Sequence, residues 1–257
     1  MAAALEFRRS DGASIAYEYQ PASSRAPIKA TVVFLHGLRS DKGGTKAEAL
    51  ARHAEKTGYA LLRFDMFGHG ASSGRFEDGG ISRWVDDALA VIDELTEGPV
   101  VLVGSSMGGW VMVKTALARP HRIKGMVGIA VAPDFTEDLM WAEFDPEQRQ
   151  ALLTNGAVEL PSEYDDGPYR ISRHLIEDGR RNLVLRENVA ISCPVRLMHG
   201  QKDSAVPWPT SLRLAERITG EDVAVHLVKD GDHRLSRPQD LERVCGFVEE
   251  LVLKGHA

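Results

Sequence analysis

Short apolar runs alternate with amphipathic stretches along most of this chain. Runs rich in Val, Ile, Leu and Phe, bounded by polar or turn residues, predict buried strands at 29–35, 59–64, 100–103, 123–131, 193–198 and 223–228. Apolar residues at helical spacing predict helices at 45–56, 81–95, 110–119, 210–218 and 239–253. This alternation is typical of a mostly parallel sheet with helices on both faces, so we predict a single α/β domain over residues 1–257.

Two segments fall outside this alternation. Residues 5–8 and 14–19 have strand-like patterns on either side of a turn at 10–12, which predicts an antiparallel hairpin at one edge of the sheet. Between 134 and 187 the sequence becomes acidic, aromatic and rich in turn residues. We predict that 134–187 is a small helical cap inserted into the domain.

The apolar run at 100–103 ends at Gly104, and helical spacing begins shortly afterwards. Ser106 lies between the two, in the frame 104–108, which reads Gly-Ser-Ser-Met-Gly and matches G-x-S-x-G. Small residues around a serine allow the tight strand-to-helix turn called a nucleophile elbow, which lifts the hydroxyl above the sheet. The free N–H groups and the positive end of the following helix would lie beside that oxygen. We therefore predict that Ser106 is a nucleophile.

A second copy of the same motif occurs at 70–74, which reads Gly-Ala-Ser-Ser-Gly. No apolar strand runs directly into this copy, and no amphipathic helix follows directly after it. We therefore interpret 70–74 as a turn and Ser72 as a loop serine.

A serine hydroxyl is a weak nucleophile at neutral pH, so it needs a base within reach and an acid that orients the base. Asp203 follows the predicted strand at 193–198, and His233 follows the one at 223–228. In a parallel sheet these loops open at the same edge as Ser106. We predict that His233 is the base and that Asp203 is its acid.

Other acidic and histidine residues are weaker candidates. Asp232 adjoins His233, where its side chain is poorly placed to hold the ring, while Asp230 stays open as an alternative acid. His36 and His199 precede glycines at strand ends, where a histidine more often braces a loop than catalyses. The remaining histidines of interest are interpreted as surface or packing residues, namely His53, His121, His174 and His226. No spacing of His, Cys, Asp and Glu indicates a metal site.

Attack on a carbonyl creates an oxyanion, and hydrogen-bond donors aimed at that charge are usually the largest catalytic effect. We predict that one donor is the backbone N–H of Met107, immediately after the nucleophile. The other is the N–H of Leu38, in the loop after the predicted strand at 29–35. Gly37 would let the backbone approach closely. Both predictions depend on position, because a main-chain donor leaves the side chain nearly free.

Composition excludes several classes of protein. A net charge of −6 and a pI near 5.9 argue against a general nucleic-acid binder, which needs a basic surface. The two cysteines, Cys193 and Cys245, are too few for a disulfide scaffold and fit a reducing compartment. No uncharged apolar run is long enough to span a bilayer, and the start resembles neither an export signal nor a transit peptide. We expect a cytoplasmic protein that acts on a small-molecule or acylated substrate without a cofactor.

From residue 29 onward the chain resembles the α/β-hydrolase superfamily. The stretches that carry this resemblance are His36-Gly37, Arg63-Phe64-Asp65, the Ser106 elbow, His199-Gly200 to Asp203, and Asp232-His233. The order Ser106, Asp203, His233 along the chain is the nucleophile, acid and base order of that superfamily. The resemblance implies the α/β-hydrolase fold and a serine hydrolase that works through an acyl-enzyme.

Within the superfamily the chain resembles the palmitoyl-protein thioesterases of animal mitochondria, which also deacylate acyl glucuronides. The similar stretches lie at 44–47, 104–110, 118–120, 161–164, 206–208 and 232–234. This resemblance implies hydrolysis of carboxylic esters or thioesters. Since no targeting leader is recognised, we expect a bacterial cytosolic counterpart.

Other activities use the same set of catalytic residues. A peptidase, a carbon–carbon bond hydrolase and a perhydrolase stay open, whereas dehalogenases and epoxide hydrolases carry aspartate at the elbow. A ligand-binding protein on this fold is the alternative from another class, although a receptor has no need of all three catalytic residues. The aromatic residues of the predicted cap suit an apolar acyl group. Its acidic residues disfavour anionic substrates unless Arg170, Arg173, Arg180 or Arg181 faces the pocket.

Overall fold

The computed structural model describes residues 5–23, 30–160 and 169–253. Its strands are β1 (Leu5–Arg8), β2 (Ser14–Gln20), β3 (Thr31–Leu35), β4 (Ala60–Phe64), β5 (Val100–Ser105), β6 (Ile123–Ile129), β7 (Ala157–Leu160), β8 (Tyr169–Ser172), β9 (Val195–Gly200) and β10 (Val223–Val228). Its helices are α1 (Thr45–Thr57), α2 (Ile81–Leu95), α3 (Met107–Ala118), α4 (Pro146–Asn155), α5 (Arg173–Arg180), α6 (Pro209–Arg217) and α7 (Pro238–Leu253). A 3₁₀ turn at Phe76–Asp78 and a π-helical turn at Thr136–Trp141 complete the described elements.

The part of the chain described here contains one eight-stranded sheet in the order β1-β2-β4-β3-β5-β6-β9-β10. Strands β1 and β2 pair antiparallel with each other, and β2 pairs antiparallel with β4. All further pairs, from β4 to β10, are parallel. The loops that follow β3, β5, β6, β9 and β10 therefore open at one edge of the sheet, which is where an open α/β sheet places its ligand site.

Alternate side chains of the central strands enter two separate apolar layers. In β3, Val33 and Leu35 pack with helices α2 and α3 on one face, whereas Val32 and Phe34 pack with α1 and α7 on the other. This follows from the two-residue period of a strand, and it explains why the central strands are apolar throughout. The fold class predicted from the sequence is confirmed: a mostly parallel sheet with helices on both faces.

Most predicted elements occur within one or two residues of their predicted bounds. The edge hairpin forms as predicted, and α1 ends at Gly58, whose φ of 88° is the left-handed conformation that closes many helices. The strand predicted at 123–131 ends earlier, at Ile129, because Ala130 turns the chain with a φ of 46°. The strand predicted at 193–198 begins at Val195 and runs to Gly200. The start of the run at 29–35 lies outside the described residues.

The segment predicted as a cap contains more than helices. The described residues between β6 and β9 form the π-helical turn, α4, α5 and a second sheet, in which β7 and β8 pair antiparallel. The stretch 161–164, part of the thioesterase resemblance, lies outside the described residues. Helix α5 is tied to the core because the Asp178 carboxylate accepts hydrogen bonds of 2.8 and 2.7 Å from the Ser82 N–H and hydroxyl.

Two further features bear on the expected compartment. No helix in 5–23, 30–160 or 169–253 has the length and apolar character needed to cross a membrane. Cys193 and Cys245 are both free thiols, the first partly buried and the second buried.

Candidate active site

Ser106 lies at the junction of β5 and α3 in a strained backbone conformation, with φ 53° and ψ −120°. Positive φ is uncommon for a residue with a side chain and persists only where surrounding structure fixes it. Three backbone hydrogen bonds do so: the Ser106 N–H donates to Ile129 O at 2.9 Å, and the Ser106 carbonyl accepts from Gly109 and Ala132 at 2.8 and 3.1 Å. The sharp turn predicted from G-x-S-x-G is present at Ser106.

The glycines of the elbow are required by close packing. A Cβ added to Gly104 would lie 2.5 Å from the carbonyl oxygen of Gly108. One added to Gly108 would lie 2.2 Å from the carbonyl oxygen of Leu35 and 2.5 Å from that of His36. Separations this short are steric clashes with backbone that cannot move aside easily. The motif therefore brings the first turn of α3 against the end of β3.

The structure brings Ser106, His233 and Asp203 into one hydrogen-bonded line. His233 Nε2 lies 3.1 Å from Ser106 Oγ, and His233 Nδ1 lies 2.7 Å from Asp203 Oδ2. A carboxylate only accepts, so Nδ1 carries the proton and Nε2 is free to accept from the serine hydroxyl. The base is partly accessible, with 21% of the His233 side chain exposed, while the Asp203 side chain is fully buried. This is the nucleophile, base and acid geometry expected for acyl transfer.

The Asp203 carboxylate is held ionised by its surroundings. Burial alone would raise its pKa, but hydrogen bonds from His199 and His233 outweigh burial and hold the pKa well below its usual range. The second oxygen, Oδ1, accepts the backbone N–H groups of Ala205 and Val206 at 2.9 and 2.8 Å. Donors of this kind stabilise the charged form of an acid.

The two alternative acids face elsewhere. Asp230 accepts a 2.6 Å hydrogen bond from Arg237, and 66% of its side chain is exposed. Asp232 accepts the backbone N–H of Leu235 at 2.9 Å and so shapes the turn after the histidine. Asp203 is thus the aspartate of these three that contacts His233 Nδ1.

The loop after β3 lies directly beside the nucleophile. A Cβ added to Gly37 would lie 3.4 Å from Ser106 Cβ, which places Gly37 next to the Ser106 side chain. Neither the N–H of Leu38 nor that of Met107 has an acceptor among the described residues. Met107 is the first residue of α3, where N–H groups have no partner within the helix. The two residues directly follow Gly37 and Ser106 in the chain, so their N–H groups stay the predicted donors to an oxyanion.

Two buried groups brace this loop. His36 Nδ1 donates to Gly37 O at 2.8 Å, and His36 Nε2 accepts the N–H of Met66 at 3.0 Å. Further along, the buried Asp65 accepts from the backbone N–H and the ammonium group of Lys42 at 2.7 and 3.1 Å. His36 braces a loop, as predicted. The role of Asp65 as the acceptor for Lys42 was not predicted, because nothing in the sequence pairs these two residues.

The second G-x-S-x-G copy is a turn, as predicted. Ser72 Oγ donates to Asp65 O at 2.5 Å and accepts the N–H of Ala16 at 2.9 Å. Both bonds tie a loop to its neighbours, and the helix needed for an elbow does not follow.

The sequence pattern missed the second imidazole on the acid. His199 Nε2 lies 3.0 Å from Asp203 Oδ2, the same oxygen that contacts His233. The four-residue spacing of His199 and Asp203 does not predict this contact, because the contact depends on the conformation of residues 201–206.

The arginines of the segment between β6 and β9 are engaged in ion pairs or lie on the surface. Arg173 pairs with Glu177 at 2.6 Å, Arg181 pairs with Asp178 at 3.0 Å, and Arg170 is exposed. Arg180 pairs with Glu137 and lies over the Trp141 ring. Over 5–23, 30–160 and 169–253, no cluster of three or more His, Cys, Asp or Glu side chains could hold a metal ion.

A model of the Hydrolase_4 family, described as serine aminopeptidase, S33, matches residues 26–161 of this chain. That match covers more than half of the chain and includes the elbow and the loop after β3. The chain belongs to the Hydrolase_4 family. It is therefore a serine hydrolase with the α/β-hydrolase fold, as the sequence predicted.

Relatives of known name extend this family assignment along the chain. The mitochondrial palmitoyl-protein thioesterase ABHD10 of Bos taurus is 37% identical over 224 residues, which cover 87% of this chain and 73% of that protein. The human protein of the same name is 35% identical over the same shares of the two chains.

Solved structures agree with the observed fold. A crystal structure from Agrobacterium vitis S4 has a TM-score of 0.91 and 41% identity, with 98% of each chain covered. The structure of α/β hydrolase domain-containing protein 10 from mouse has a TM-score of 0.88 and 34% identity, again with 98% of each chain covered. The arrangement of this Hydrolase_4 member is thus shared along nearly its whole length.

Proposed function

We propose that this Hydrolase_4 member cleaves carboxylic esters and thioesters through an acyl-enzyme formed on Ser106. The observation that carries the proposal is the hydrogen-bonded line from Ser106 Oγ through His233 to Asp203, at 3.1 and 2.7 Å. A hydroxyl within reach of a neutral imidazole, itself oriented by an ionised acid, is the arrangement that makes serine nucleophilic.

Each residue has one task in the proposed reaction. His233 Nε2 takes the hydroxyl proton while Ser106 Oγ attacks the carbonyl carbon, and Asp203 stabilises the imidazolium that forms. The N–H groups of Leu38 and Met107 stabilise the negative oxygen of the tetrahedral intermediate. His233 then returns the proton to the departing alkoxide or thiolate, and a water activated by the same imidazole releases the acid.

The proposed acyl group is a long apolar chain. Partly buried apolar side chains continue the core towards the loops of the site, on the loop after β3 and on the segment after β6; they are Leu38, Leu139, Met140 and Tyr169. Such surfaces favour burial of hydrocarbon by about 0.8 kcal/mol per CH₂ group. The named activity of the ABHD10 relatives, removal of palmitoyl groups from proteins, supports the same substrate class.

A cavity of about 220 Å³ supports an apolar subsite. Five of its eight lining residues are apolar, namely Pro133, Leu139, Leu185, Pro207 and Pro209, and the ion-paired Asp138 and Arg213 also line it. Two of its lining residues directly follow residues that are hydrogen-bonded to Ser106 or Asp203. Pro133 directly follows Ala132, whose N–H binds the Ser106 carbonyl, and Pro207 directly follows Val206, whose N–H binds Asp203.

The test is turnover of matched oxygen esters and thioesters of increasing acyl length. We expect Ser106→Ala to abolish turnover while its unfolding transition stays that of the wild type. Ser72→Ala, in the second copy of the motif, is the matched control and retains turnover. Thioesters of long acids should be the better substrates, and equal turnover by Ser106→Ala would overturn the proposal.

The remaining activities are outcomes of the same experiment. An aminoacyl anilide tests the peptidase activity in the family description, and an acyl glucuronide tests the second activity implied by the resemblance. Turnover of short esters alone would keep the mechanism and reject the long acyl group. A fluorophosphonate probe labels an enzyme quickly at Ser106, whereas a ligand receptor on this fold labels slowly or not at all.

The proposed compartment is the cytoplasm. Two free thiols and no indication of a disulfide framework support a reducing environment. Fractionation of the producing cells tests this, with recovery alongside a cytoplasmic marker as the expected result. Recovery with a periplasmic or membrane marker would contradict it.

A further inference from the structure

A second histidine shares the acid of the proposed triad. His199, in β9, places Nε2 3.0 Å from Asp203 Oδ2, the oxygen that also lies 2.7 Å from Nδ1 of His233. Neither the His199 nor the Asp203 side chain is exposed to solvent. Bracing of the loop would not by itself require two imidazoles to bind the same oxygen of a carboxylate that is shielded from solvent.

The surroundings of His199 determine which of its nitrogens carries the proton. Besides Asp203, Nε2 faces the carbonyl oxygen of Val206 at 3.0 Å, and both of these partners only accept. The proton is therefore on Nε2. Nδ1, 2.7 Å from Ser211 Oγ, then accepts the hydroxyl proton of that fully buried serine in α6. Asp203 and Val206 thus fix the tautomer, and Ser211 supplies the hydrogen bond that holds the other ring nitrogen.

The carboxylate has no free acceptor capacity once these contacts are counted. Oδ1 accepts two backbone N–H groups, from Ala205 and Val206, and Oδ2 accepts two imidazole N–H groups. A carboxylate offers about four lone-pair sites, so all are used. Removing the N–H of His199 would leave Oδ2 held only by Nδ1–H of His233, the histidine that gains and returns a proton at Nε2 during the reaction.

We propose that His199 is a positioning residue for the hydrolysis reaction. Its Nε2–H aligns Oδ2 of Asp203 with Nδ1 of His233 and takes up part of the charge on that oxygen, while the hydrogen bond from Ser211 to Nδ1 holds the orientation of the His199 ring. This inference rests on the proposed function, since it assigns a task only within the Ser106, His233 and Asp203 line.

Other charged groups near His233 have partners of their own. Lys46 Nζ donates to the carbonyl of Arg234 at 2.6 Å, and Asp230 is paired with Arg237 at 2.6 Å. Asp232 accepts the N–H of Leu235. These groups, together with Lys202 on the loop of the acid, are unchanged by a substitution at His199, so a change in pH dependence would report on His199 itself.

The test compares two substitutions at position 199 and one at its partner. His199→Leu removes the donor, whereas His199→Gln keeps an N–H near the place of Nε2. Ser211→Ala leaves the imidazole but removes the hydrogen bond to Nδ1, so the ring is held less firmly. Kinetics with a short activated ester are measured across pH for each variant, with thermal unfolding in parallel, so that catalysis and folding are read separately.

We expect His199→Leu to lower kcat by roughly tenfold to a hundredfold, the range for loss of a hydrogen bond to a charged group, with KM unchanged because His199 is buried. The acid limb of kcat/KM should move to higher pH, because an unshared charge on Oδ2 favours the imidazolium form of His233. His199→Gln should restore most of kcat, and Ser211→Ala should move the limb in the same direction by less.

Three results would overturn the inference. One is a wild-type kcat in His199→Leu. Another is an equal loss of kcat in His199→Leu and His199→Gln with the acid limb of kcat/KM unmoved, which would indicate a purely structural role for His199. If His199→Leu does not fold, a wild-type kcat together with an unmoved acid limb in Ser211→Ala decides against it. Failure of the proposed function is distinct, since it would appear as activity retained in Ser106→Ala.

Discussion

Asp203 Oδ2 lies 2.7 Å from His233 Nδ1, although the two residues are 30 positions apart in the chain. Both follow strands that pair in parallel, β9 and β10, so the sheet brings their loops together at one edge. This contact distinguishes Asp203 from Asp230 and Asp232, the two aspartates next to His233 in the sequence. Asp230 and Asp232 are directed to Arg237 and to the backbone of Leu235 instead.

Asp203→Asn is predicted to lower kcat by on the order of 10⁴-fold, because an amide cannot hold the imidazole in the tautomer that accepts from serine. The fold should be retained, as the substitution is nearly isosteric. Asp230→Asn is the control, since the Asp230 side chain is exposed and pairs with Arg237, and it should turn over like the wild type. Steady-state kinetics on a short activated ester measure both. The reverse ranking of the two variants would show that Asp230 is the acid.

The triad was accessible from sequence because each member has a local signal. Ser106 lies in a motif between a strand and a helix, and His233 and Asp203 each follow a short run whose pattern predicts a strand. Parallel pairing then places those strand ends together without any knowledge of side-chain contacts. The bond from His199 to Asp203 has no such signal, because it depends on the course of loop 201–206.

The segment between β6 and β9 contains elements that the sequence pattern did not predict. Strands β7 and β8 are four residues each, Ala-Val-Glu-Leu and Tyr-Arg-Ile-Ser, and neither has a period long enough to detect. The strand predicted at 123–131 was too long for a related reason. Apolar residues continue past Ile129 into the turn that passes beside Ser106, and burial in a turn cannot be told from burial in a strand.

The packing of the elbow predicts opposite effects for two glycine substitutions. Gly108→Ala should lower the free energy of unfolding by about 3 kcal/mol, because its Cβ would lie 2.2 Å from Leu35 O at the start of the loop that holds Leu38. Gly246→Ala, in an exposed part of α7 where an added Cβ meets nothing within 4 Å, should raise it by about 1 kcal/mol.

Urea unfolding measures the stability of both glycine variants, and the rate of fluorophosphonate labelling shows whether the loop after β3, which contains Leu38, has moved. We expect slower labelling of Gly108→Ala and unchanged labelling of Gly246→Ala. Equal stability of the two variants would mean that α3 and β3 are not packed as closely as described.

Anchoring of α5 to α2 predicts the effect of removing a single carboxylate. Asp178→Ala should lower the free energy of unfolding by about 2 kcal/mol, because the Ser82 hydroxyl and N–H lose their acceptor in a buried setting. Glu177→Ala removes the adjacent side chain, whose pair with Arg173 is exposed, and should change stability by less than about 0.5 kcal/mol.

The same pair of variants tests whether 134–187 behaves as a separately anchored cap. Limited proteolysis of native Asp178→Ala should cut faster within 134–187 than elsewhere, while Glu177→Ala is cut like the wild type. Faster cutting spread over the whole chain would show instead that this segment unfolds together with the sheet.

His69 predicts how stability changes with pH. Burial lowers its pKa from 6.5 to about 4, helped by the neighbouring His36, and its Nε2 is buried without a partner among the described residues. The folded state therefore stays unprotonated between pH 6.5 and 4, where the unfolded chain binds a proton. Stability consequently falls as pH decreases through this window, by about 2 kcal/mol between pH 7 and pH 5.

His69→Phe removes this protonation and keeps a ring that can pack on Phe76 and Trp84, which the His69 ring contacts edge-on. We expect the loss of stability between pH 7 and pH 5 to become about 2 kcal/mol smaller in this variant. His121→Gln, at an exposed position, should leave the loss as large as in the wild type. Urea unfolding at the two pH values measures the difference. An unchanged loss in His69→Phe would mean that another group takes up the proton when the chain unfolds.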